Sequence, residues 1–213
     1  MASQQRSRKA LGLWMNGHFV GTWSLEAGGD VLQYDSQWVQ SPQRRPLSLS
    51  LPFTPGNRPH KGNAVRFYFE NLLPDSKDIR ERVARRYQVG ATDAYTLLRE
   101  VGRDCVGALQ ILPAGDEPPT DLRVQAEPMS DHAVAQRIRT LAQPGALGDA
   151  GMADDFRISI AGAQEKDALL FWQGRWCRPL GATPTTHIFK LPLGLIGNLQ
   201  LDMQHSVENE WLC

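Results

Sequence analysis

Hydrophobic and polar positions in the first part of the chain predict β structure. Residues 11–15 and 18–23 are apolar runs separated by the pair Asn16-Gly17. Asn and Gly tolerate the positive φ angles of a tight two-residue turn, so these runs predict a β-hairpin. Residues 46–53, PLSLSLPF, alternate leucine with serine and predict a short strand with its leucines on one face, bounded by prolines.

After a predicted loop at residues 54–63, apolar residues recur at the spacing of a helix and predict three helices. The apolar positions of three predicted helices are Ile79, Val83 and Tyr87, then Tyr95, Leu98 and Val101, then Val134, Ile138 and Leu141. Asp75 or Ser76 is the predicted cap of the first helix, and Thr92 that of the second. A strand at residues 105–112 ends at Pro113, and the polar, proline-containing stretch after it predicts a boundary between domains at 1–113 and 114–213.

The second part of the chain has a polar turn between two apolar runs. Residues 156–161 and 168–172 predict strands, and residues 162–166, which include one glycine, predict their connecting loop. A further strand is predicted at residues 187–191, with Lys190 inside its apolar run. A lysine in an apolar strand needs an explanation, and the commoner one is that Lys190 lies on an edge or solvated face and extends its amine into water.

The order of these elements allows a second interpretation of Lys190. Protein kinases hold ATP with elements that follow one chain order: a strand, a glycine loop, a second strand, a strand that carries a lysine, and then a helix that carries a glutamate. Here the helix opens at Ser206 and carries Glu210. Neither G-x-G-x-x-G nor the Walker sequence G-x-x-x-x-G-K-[ST] is present, so the residues alone leave both interpretations open.

Composition narrows the class of protein. The chain has 41% hydrophobic residues, enough for a core, and its 23 Lys and Arg balance 23 Asp and Glu, which indicates no overall attraction to nucleic acid or membrane. Three dispersed cysteines favour a reducing cytoplasm over disulfides or zinc. The polar N-terminus has no long apolar segment after it, so neither a signal peptide nor a membrane anchor is expected. No G-x-S-x-G sequence indicates a hydrolase, and the five histidines share no metal-ligand spacing.

Several longer strings resemble one family. PLSLSLP, FENLLPDS, EVGRDCVGALQILP, FRISIAGAQEK, TPTTHIFKLP and SVENEWLC are similar to the HipA family of bacterial serine/threonine kinase toxins, from about Leu13 to the last residue. The resemblance implies an α+β fold in which a β-rich subdomain precedes the ATP-binding lobe of a protein-kinase-like fold. It also implies ATP and Mg2+ as cofactors, glutamyl-tRNA synthetase as a substrate, and silencing by the DNA-binding antitoxin HipB, with DNA reached only through the antitoxin.

The resemblance also implies the site residues. The ATP-binding loop would consist of Ile160, Ala161, Gly162, Ala163, Gln164, Glu165 and Lys166. Lys190 would pair with the phosphates and Glu210 with Lys190, the latter by topological inference. Ser159 matches the position at which family members autophosphorylate, although by itself it would be a strand hydroxyl bonded to backbone.

Two kinase elements are missing downstream of Lys190. Neither the catalytic H-R-D-x-x-x-x-N pattern nor the metal-binding D-F-G pattern follows it, and Asp155-Phe156-Arg157 precedes the glycine loop. We therefore expect an N-terminal half, cut before the helical catalytic lobe and inactive alone. Three alternatives stay open: one lobe of a kinase, a module that binds the antitoxin or acts as a decoy, and a stable domain without activity.

Overall fold

The computed structural model describes two compact units. The described residues are 10–105, 107–119, 123–141, 166–181, 183–196 and 200–213. One unit lies within residues 10–119, and the other comprises residues 123–141 together with the described residues from 166 onward. Both units combine helices with antiparallel sheets, so the mixed α and β composition that the resemblance implied is confirmed.

The first unit is built on a five-stranded antiparallel sheet. Its strands are β1 (Ala10–Met15), β2 (His18–Glu26), β3 (Gly29–Tyr34), β4 (His60–Lys61) and β5 (Leu109–Pro113), in the order β4-β3-β2-β1-β5. The predicted hairpin is confirmed as β1 and β2. Asn16 and Gly17 connect these strands with φ angles of 50° and 78°, as a turn of this kind requires.

Four helices accompany this sheet: α1 (Ser36–Gln40), α2 (Asn63–Glu70), α3 (Lys77–Arg86) and α4 (Ala94–Val101). Ser76 caps α3, since its hydroxyl accepts a hydrogen bond from the Ile79 amide at 3.4 Å. The predicted cap at Thr92 is wrong by one residue. Asp93 caps α4 by accepting a hydrogen bond from the Thr96 amide at 3.0 Å, because its carboxylate reaches the free amide of the first turn.

The core of the first unit lies between the sheet and its helices. Trp23 of β2 stacks on Phe69 of α2 with ring centroids 3.7 Å apart and planes 5° apart, and Tyr95 of α4 meets Trp23 edge-on at 5.1 Å. The side chains buried most completely here are Trp23, Phe69, Leu11, Leu13, Leu32, Leu51, Leu73, Leu97, Leu98 and Ile111. The first unit therefore has a hydrophobic core of its own.

The predicted strand at residues 46–53 is wrong. The segment is irregular, with a turn in which the Leu51 amide donates to the Ser48 carbonyl at 3.0 Å. Leu49 is 97% exposed while Leu51 is buried, so the leucines do not share a face. Pro46 and Pro52 lack amide hydrogens, and Tyr34 takes up the free backbone groups of Leu47 and Leu51 in place of a neighbouring strand.

Two other sequence predictions differ from the structure. The predicted loop at 54–63 contains the two-residue strand β4, and helix α2 directly after it was not predicted. The strand predicted from residue 105 begins at Leu109, since Cys105 follows the single helical turn Gly102–Asp104. In α2 only Val65 and Phe69 are buried, and the aromatic residues between them obscure the helical pattern.

The second unit contains a four-stranded antiparallel sheet. Its elements are β6 (Ala126–Pro128), α5 (Asp131–Leu141), β7 (Lys166–Trp172), β8 (Arg175–Pro179) and β9 (His187–Lys190), with strand order β6-β8-β7-β9. A separate hairpin of β10 (Gly194–Ile196) and β11 (Leu201–Met203) leads to α6 (Ser206–Leu212). The third predicted helix and the strands predicted at 168–172 and 187–191 are confirmed. None of the described helices has both the length and the apolar character needed to cross a bilayer.

Candidate functional site

Lys190 lies at the end of β9, directly opposite another lysine. The antiparallel pairing of β7 with β9 makes Lys166 and Lys190 Cα partners. Directly opposed residues of an antiparallel pair point to the same face, so both ammonium groups belong to one face of the sheet. Like charges in this arrangement destabilise a sheet unless anionic groups accompany them. The register therefore creates a position suited to negative charge.

Glu210 of α6 supplies one such anionic group. The Lys190 Nζ donates a hydrogen bond to Glu210 Oε1. The Lys190 side chain is 21% exposed and that of Glu210 is 57% exposed. An ion pair this open to solvent adds about 0–1 kcal/mol to stability. Its main effect is therefore to hold the ammonium in place.

The start of α6 is tied to the segment that follows β9. Ser206, the first residue of the helix, accepts a hydrogen bond on its hydroxyl from the Leu193 amide at 3.0 Å. Leu193 is three residues beyond Lys190 in the sequence. This bond places the helix beside the end of β9, and one further turn of helix brings Glu210 to the lysine. The structure thus brings together two residues that are 20 positions apart.

Lys166 occupies a different kind of position from the one the sequence suggested. It was expected as the last residue of the glycine loop, and the structure places it as the first residue of β7. Its backbone position is therefore set by strand pairing with β9. The rest of the expected site lies outside the described residues: Ser159, Ile160, Ala161, Gly162, Ala163, Gln164 and Glu165.

A second ion pair anchors β7 on its other face. Asp167 follows Lys166, and since alternate strand residues point to opposite faces, its carboxylate is directed away from the two lysines. Arg137 of α5 binds both carboxylate oxygens, with a distance of 3.0 Å from Nη2 to Oδ1. The two side chains are only 16% and 15% exposed. A bidentate pair of this kind favours one register of the strand, because a slip by one residue would exchange the two faces.

Sequence reasoning did not identify this pair. The argument that an apolar strand containing a lysine needs an explanation applies equally to Asp167, which precedes the apolar residues 168–172. Its partner could not have been inferred, because Arg137 lies 30 residues earlier on a helix with several other polar positions.

Apolar side chains differ between the two faces of this sheet. Ile188, two residues before Lys190, shares the lysine face and is 55% exposed, and it lies opposite the buried Ala168. The other face carries an aromatic group in which Trp176 contacts Phe171, His187 and Phe189, with ring centroids 4.9–5.1 Å apart. Trp176 thus packs on the sheet. The lysine face therefore carries two cations together with the exposed apolar side chains of Ile188 and Trp172.

Metal ligands do not gather among the residues that the structure describes. No group of three or more His, Cys, Asp or Glu side chains could hold a metal ion there. Cys105 and Cys177 are buried free thiols, and Cys213 is exposed. Burial raises the pKa of the Cys105 thiol, which therefore stays protonated and unreactive at neutral pH.

Comparisons with known proteins agree on one family. The family model described as HipA N-terminal domain matches residues 11–112. "Putative kinase Y4mE" of Sinorhizobium fredii is 30% identical over 201 residues, covering 87% of this chain and 44% of that protein. The serine/threonine-protein kinase toxin HipA of Shewanella oneidensis is 28% identical over 174 residues, covering 80% and 37%. The chain therefore spans less than half the length of these curated relatives.

A solved structure shows the same relationship. A complex of HipA, HipB and operator DNA from Shewanella oneidensis contains a chain that is similar to this one, with a TM-score of 0.61 and 25% identity. The similarity covers 84% of this chain and 39% of that one. The matched domain, the kinase-toxin relative and the shared fold together show that this chain belongs to the HipA family and carries its N-terminal domain at residues 11–112.

Proposed function

We propose that this chain is the nucleotide-holding, N-terminal part of a HipA-like serine/threonine kinase toxin. The observation that carries the proposal is the Lys190–Glu210 pair, opposed by Lys166 on the same face of the sheet. An ammonium held by a carboxylate is suited to binding phosphates, because the carboxylate orients the lysine. ATP, when bound, supplies the phosphoryl group that a kinase transfers.

Each residue of the site has a defined role in this proposal. Lys190 binds phosphate oxygens, Glu210 orients Lys190, and Lys166 adds a second positive charge. The backbone amides of residues 160–165 cover the phosphates, and the exposed Ile188 contacts the base. Arg137 and Asp167 hold β7 so that Lys166 faces Lys190 and not the opposite side of the sheet.

Phosphotransfer belongs to the full-length kinase in this proposal. The chain spans less than half the length of its relatives, and its described residues contain no cluster suited to Mg2+. We assign the catalytic and metal-binding carboxylates to the remaining part of the kinase. The proposed partners are a HipB-like DNA-binding antitoxin in the cytoplasm and glutamyl-tRNA synthetase as the phosphorylated protein, with Ser159 as the autophosphorylated residue.

ATP binding by the 213-residue chain tests the proposal directly. The wild-type chain should bind a fluorescent ATP analogue, and Lys190→Ala should weaken binding by roughly 10- to 100-fold, since a hydrogen bond to a charged group contributes about 1.5–3 kcal/mol. Glu210→Gln should weaken binding less, because the lysine remains but loses its orienting partner. Fluorescence anisotropy with increasing protein concentration measures all three affinities.

Lys77→Ala is the matched control. Lys77 forms a different Lys–Glu pair, with Glu81 on α3 in the first unit, and its side chain is 84% exposed. It should leave ATP affinity unchanged. Equal affinities of the wild-type chain and Lys190→Ala would refute the nucleotide site. If Lys190→Ala still bound a HipB-like protein while neither chain bound ATP, the alternative of an antitoxin-binding module would be favoured.

A further inference from the structure

Positive charge is segregated in one segment of the first unit. Residues 36–69 contain no Asp or Glu, although the whole chain has 23 basic and 23 acidic residues. The basic residues of the segment are Arg44, Arg45, Arg58, Lys61 and Arg66. Removing these 5 from the 23 leaves 18 basic residues against 23 acidic residues elsewhere. A neutral total therefore conceals a strongly positive segment.

The fold gathers much of this segment around the side chain of Tyr34. The Tyr34 hydroxyl donates to the Leu51 carbonyl at 2.6 Å and accepts from the Leu47 amide at 2.9 Å. The ring of Phe53 packs edge-on against that of Tyr34 at 4.9 Å. The ring of His60 lies 6.2 Å from that of Tyr34.

Further bonds bring basic residues to the same edge of the sheet. The Asn57 side-chain amide donates to the Tyr34 carbonyl at 2.9 Å, which places the neighbouring Arg58 at this edge. Lys61 follows His60 in β4, the outermost strand of the sheet on this side. The Trp38 indole donates to the Arg45 carbonyl at 3.0 Å, so the Arg44-Arg45 pair is also anchored to the unit.

All five basic side chains are exposed and available to an outside partner. None forms an ion pair with another residue in the part of the chain that the structure describes. Two are held by neutral groups: Arg44 donates to the Val39 carbonyl at 3.0 Å, and the Arg45 guanidinium lies 6.0 Å from the Trp38 ring centroid. The two acids that flank the segment in sequence are committed elsewhere, Asp35 to capping α1 and Glu70 to an ion pair with Arg80. Asp30, on the neighbouring strand β3, accepts a hydrogen bond from the Trp23 indole.

We infer that this surface, the Tyr34 edge, binds the phosphate backbone of double-stranded DNA. It comprises Arg44, Arg45, Arg58, Lys61 and, from α2, which contacts β3 and β4, Arg66. Arginine supplies four of the five basic side chains, and its planar guanidinium matches phosphate oxygens. The exposed Ser50 and Gln43 add the neutral donors that commonly contact phosphates. The site is independent of ATP binding, and it revises the expectation that DNA is reached only through the antitoxin.

The composition of the surface favours DNA over an acidic protein. Interfaces between proteins are built around a cluster of apolar and aromatic side chains, whereas DNA interfaces are more polar and much more positively charged. The exposed large apolar residues of residues 36–69 are only Leu49 and Phe67. Phosphate contact carries no base recognition, so the surface should bind DNA of any sequence.

Salt dependence of DNA binding measures the phosphate contacts. We expect the 213-residue chain to bind a 20-base-pair duplex of arbitrary sequence at low salt, by fluorescence anisotropy. With five contacts the slope of log K against log salt is about −4.5, because each neutralised phosphate contributes about −0.9. The triple variant Arg44→Gln, Arg58→Gln, Lys61→Gln should reduce that slope by about 2.7.

A charge-matched control separates this surface from general electrostatics. Lys77→Gln, Arg99→Gln, Arg175→Gln removes three exposed cations outside residues 36–69 and should leave the slope unchanged. Circular dichroism checks that both variants remain folded. Equal slopes for the two variants, or no DNA binding by the wild-type chain at about 50 mM salt, would overturn the inference. Binding of polyglutamate in place of DNA would instead indicate an acidic protein partner.

Discussion

Tyr34 shows how much one residue organises in the first unit. It is 2% exposed, and its hydroxyl joins the irregular segment of Leu47 and Leu51 to the end of β3. Burial raises the pKa of Tyr34 to about 12, and the hydrogen bond from the Leu47 amide only partly offsets this effect. The folded protein therefore keeps the phenol protonated at a pH where the unfolded chain has begun to ionise.

This pKa shift predicts a loss of stability in alkali. The free energy of unfolding should begin to fall above about pH 8, where the unfolded chain releases the Cys105 proton, and should fall more steeply between about pH 10 and 12, where the unfolded chain also releases the Tyr34 proton. One such group contributes a slope of up to about 1.4 kcal/mol per pH unit. Burial of the Cys105 thiol acts in the same direction. Urea unfolding at a series of pH values measures the effect.

Tyr34→Phe is the variant that isolates this contribution. It should be less stable at neutral pH by about 1–3 kcal/mol, because the variant leaves the Leu51 carbonyl and Leu47 amide without their phenol partner. Its stability should nevertheless decline less steeply above pH 10. A decline as steep as that of the wild-type protein would show that Tyr34 is not the group that titrates.

At the scale of elements, one aromatic contact joins α2 to strand β2 of the sheet. Phe69 is fully buried and stacks on Trp23, whereas Phe67 on the same helix is 56% exposed. Phe69→Ala should lower the free energy of unfolding by about 3–5 kcal/mol, because it removes buried apolar surface and leaves a cavity. Urea unfolding followed by tryptophan fluorescence provides the measurement.

Phe67→Ala provides the comparison within one helix. It removes the same atoms from a partly exposed position and should change stability by less than about 1 kcal/mol. Similar losses for the two variants would mean that helix propensity, and not the contact with Trp23, decides how α2 is held.

The elements also show where sequence patterns are sufficient. The hairpin at Asn16-Gly17 and the helices behind Ser76 and Asp93 follow from turn and capping chemistry within a few residues. The alternation of leucine and serine at residues 46–53 predicted a strand that does not form, because the backbone groups of this segment bond to Tyr34 and within a local turn. Local patterns cannot reveal a partner that comes from a distant residue.

At the scale of the whole molecule, the described residues of the first unit form a hydrophobic core of their own. Twenty-four buried residues between Leu11 and Ile111 form one continuous cluster. A fragment of residues 1–119 should therefore fold alone, with one cooperative urea transition and a near-ultraviolet circular dichroism signal from its packed tryptophans. In this fragment Phe69→Ala should lower stability as it does in the whole chain. Absence of a cooperative transition would contradict the prediction.

Sequence alone determined the elements whose signals are local, and with the resemblance it determined the family. The order of the elements, in which a strand with a lysine precedes a helix with a glutamate, also identified Lys190 and Glu210 as candidate site residues. Kinase folds share this chain order even where their sequences are not closely similar. Only the tertiary structure decided two contacts of the site. The pairing of β7 with β9 places Lys166 opposite Lys190, and Arg137 of helix α5 binds the carboxylate of Asp167. Strand register and the gathering of basic residues around Tyr34 depend on contacts between distant residues, which a linear pattern does not contain.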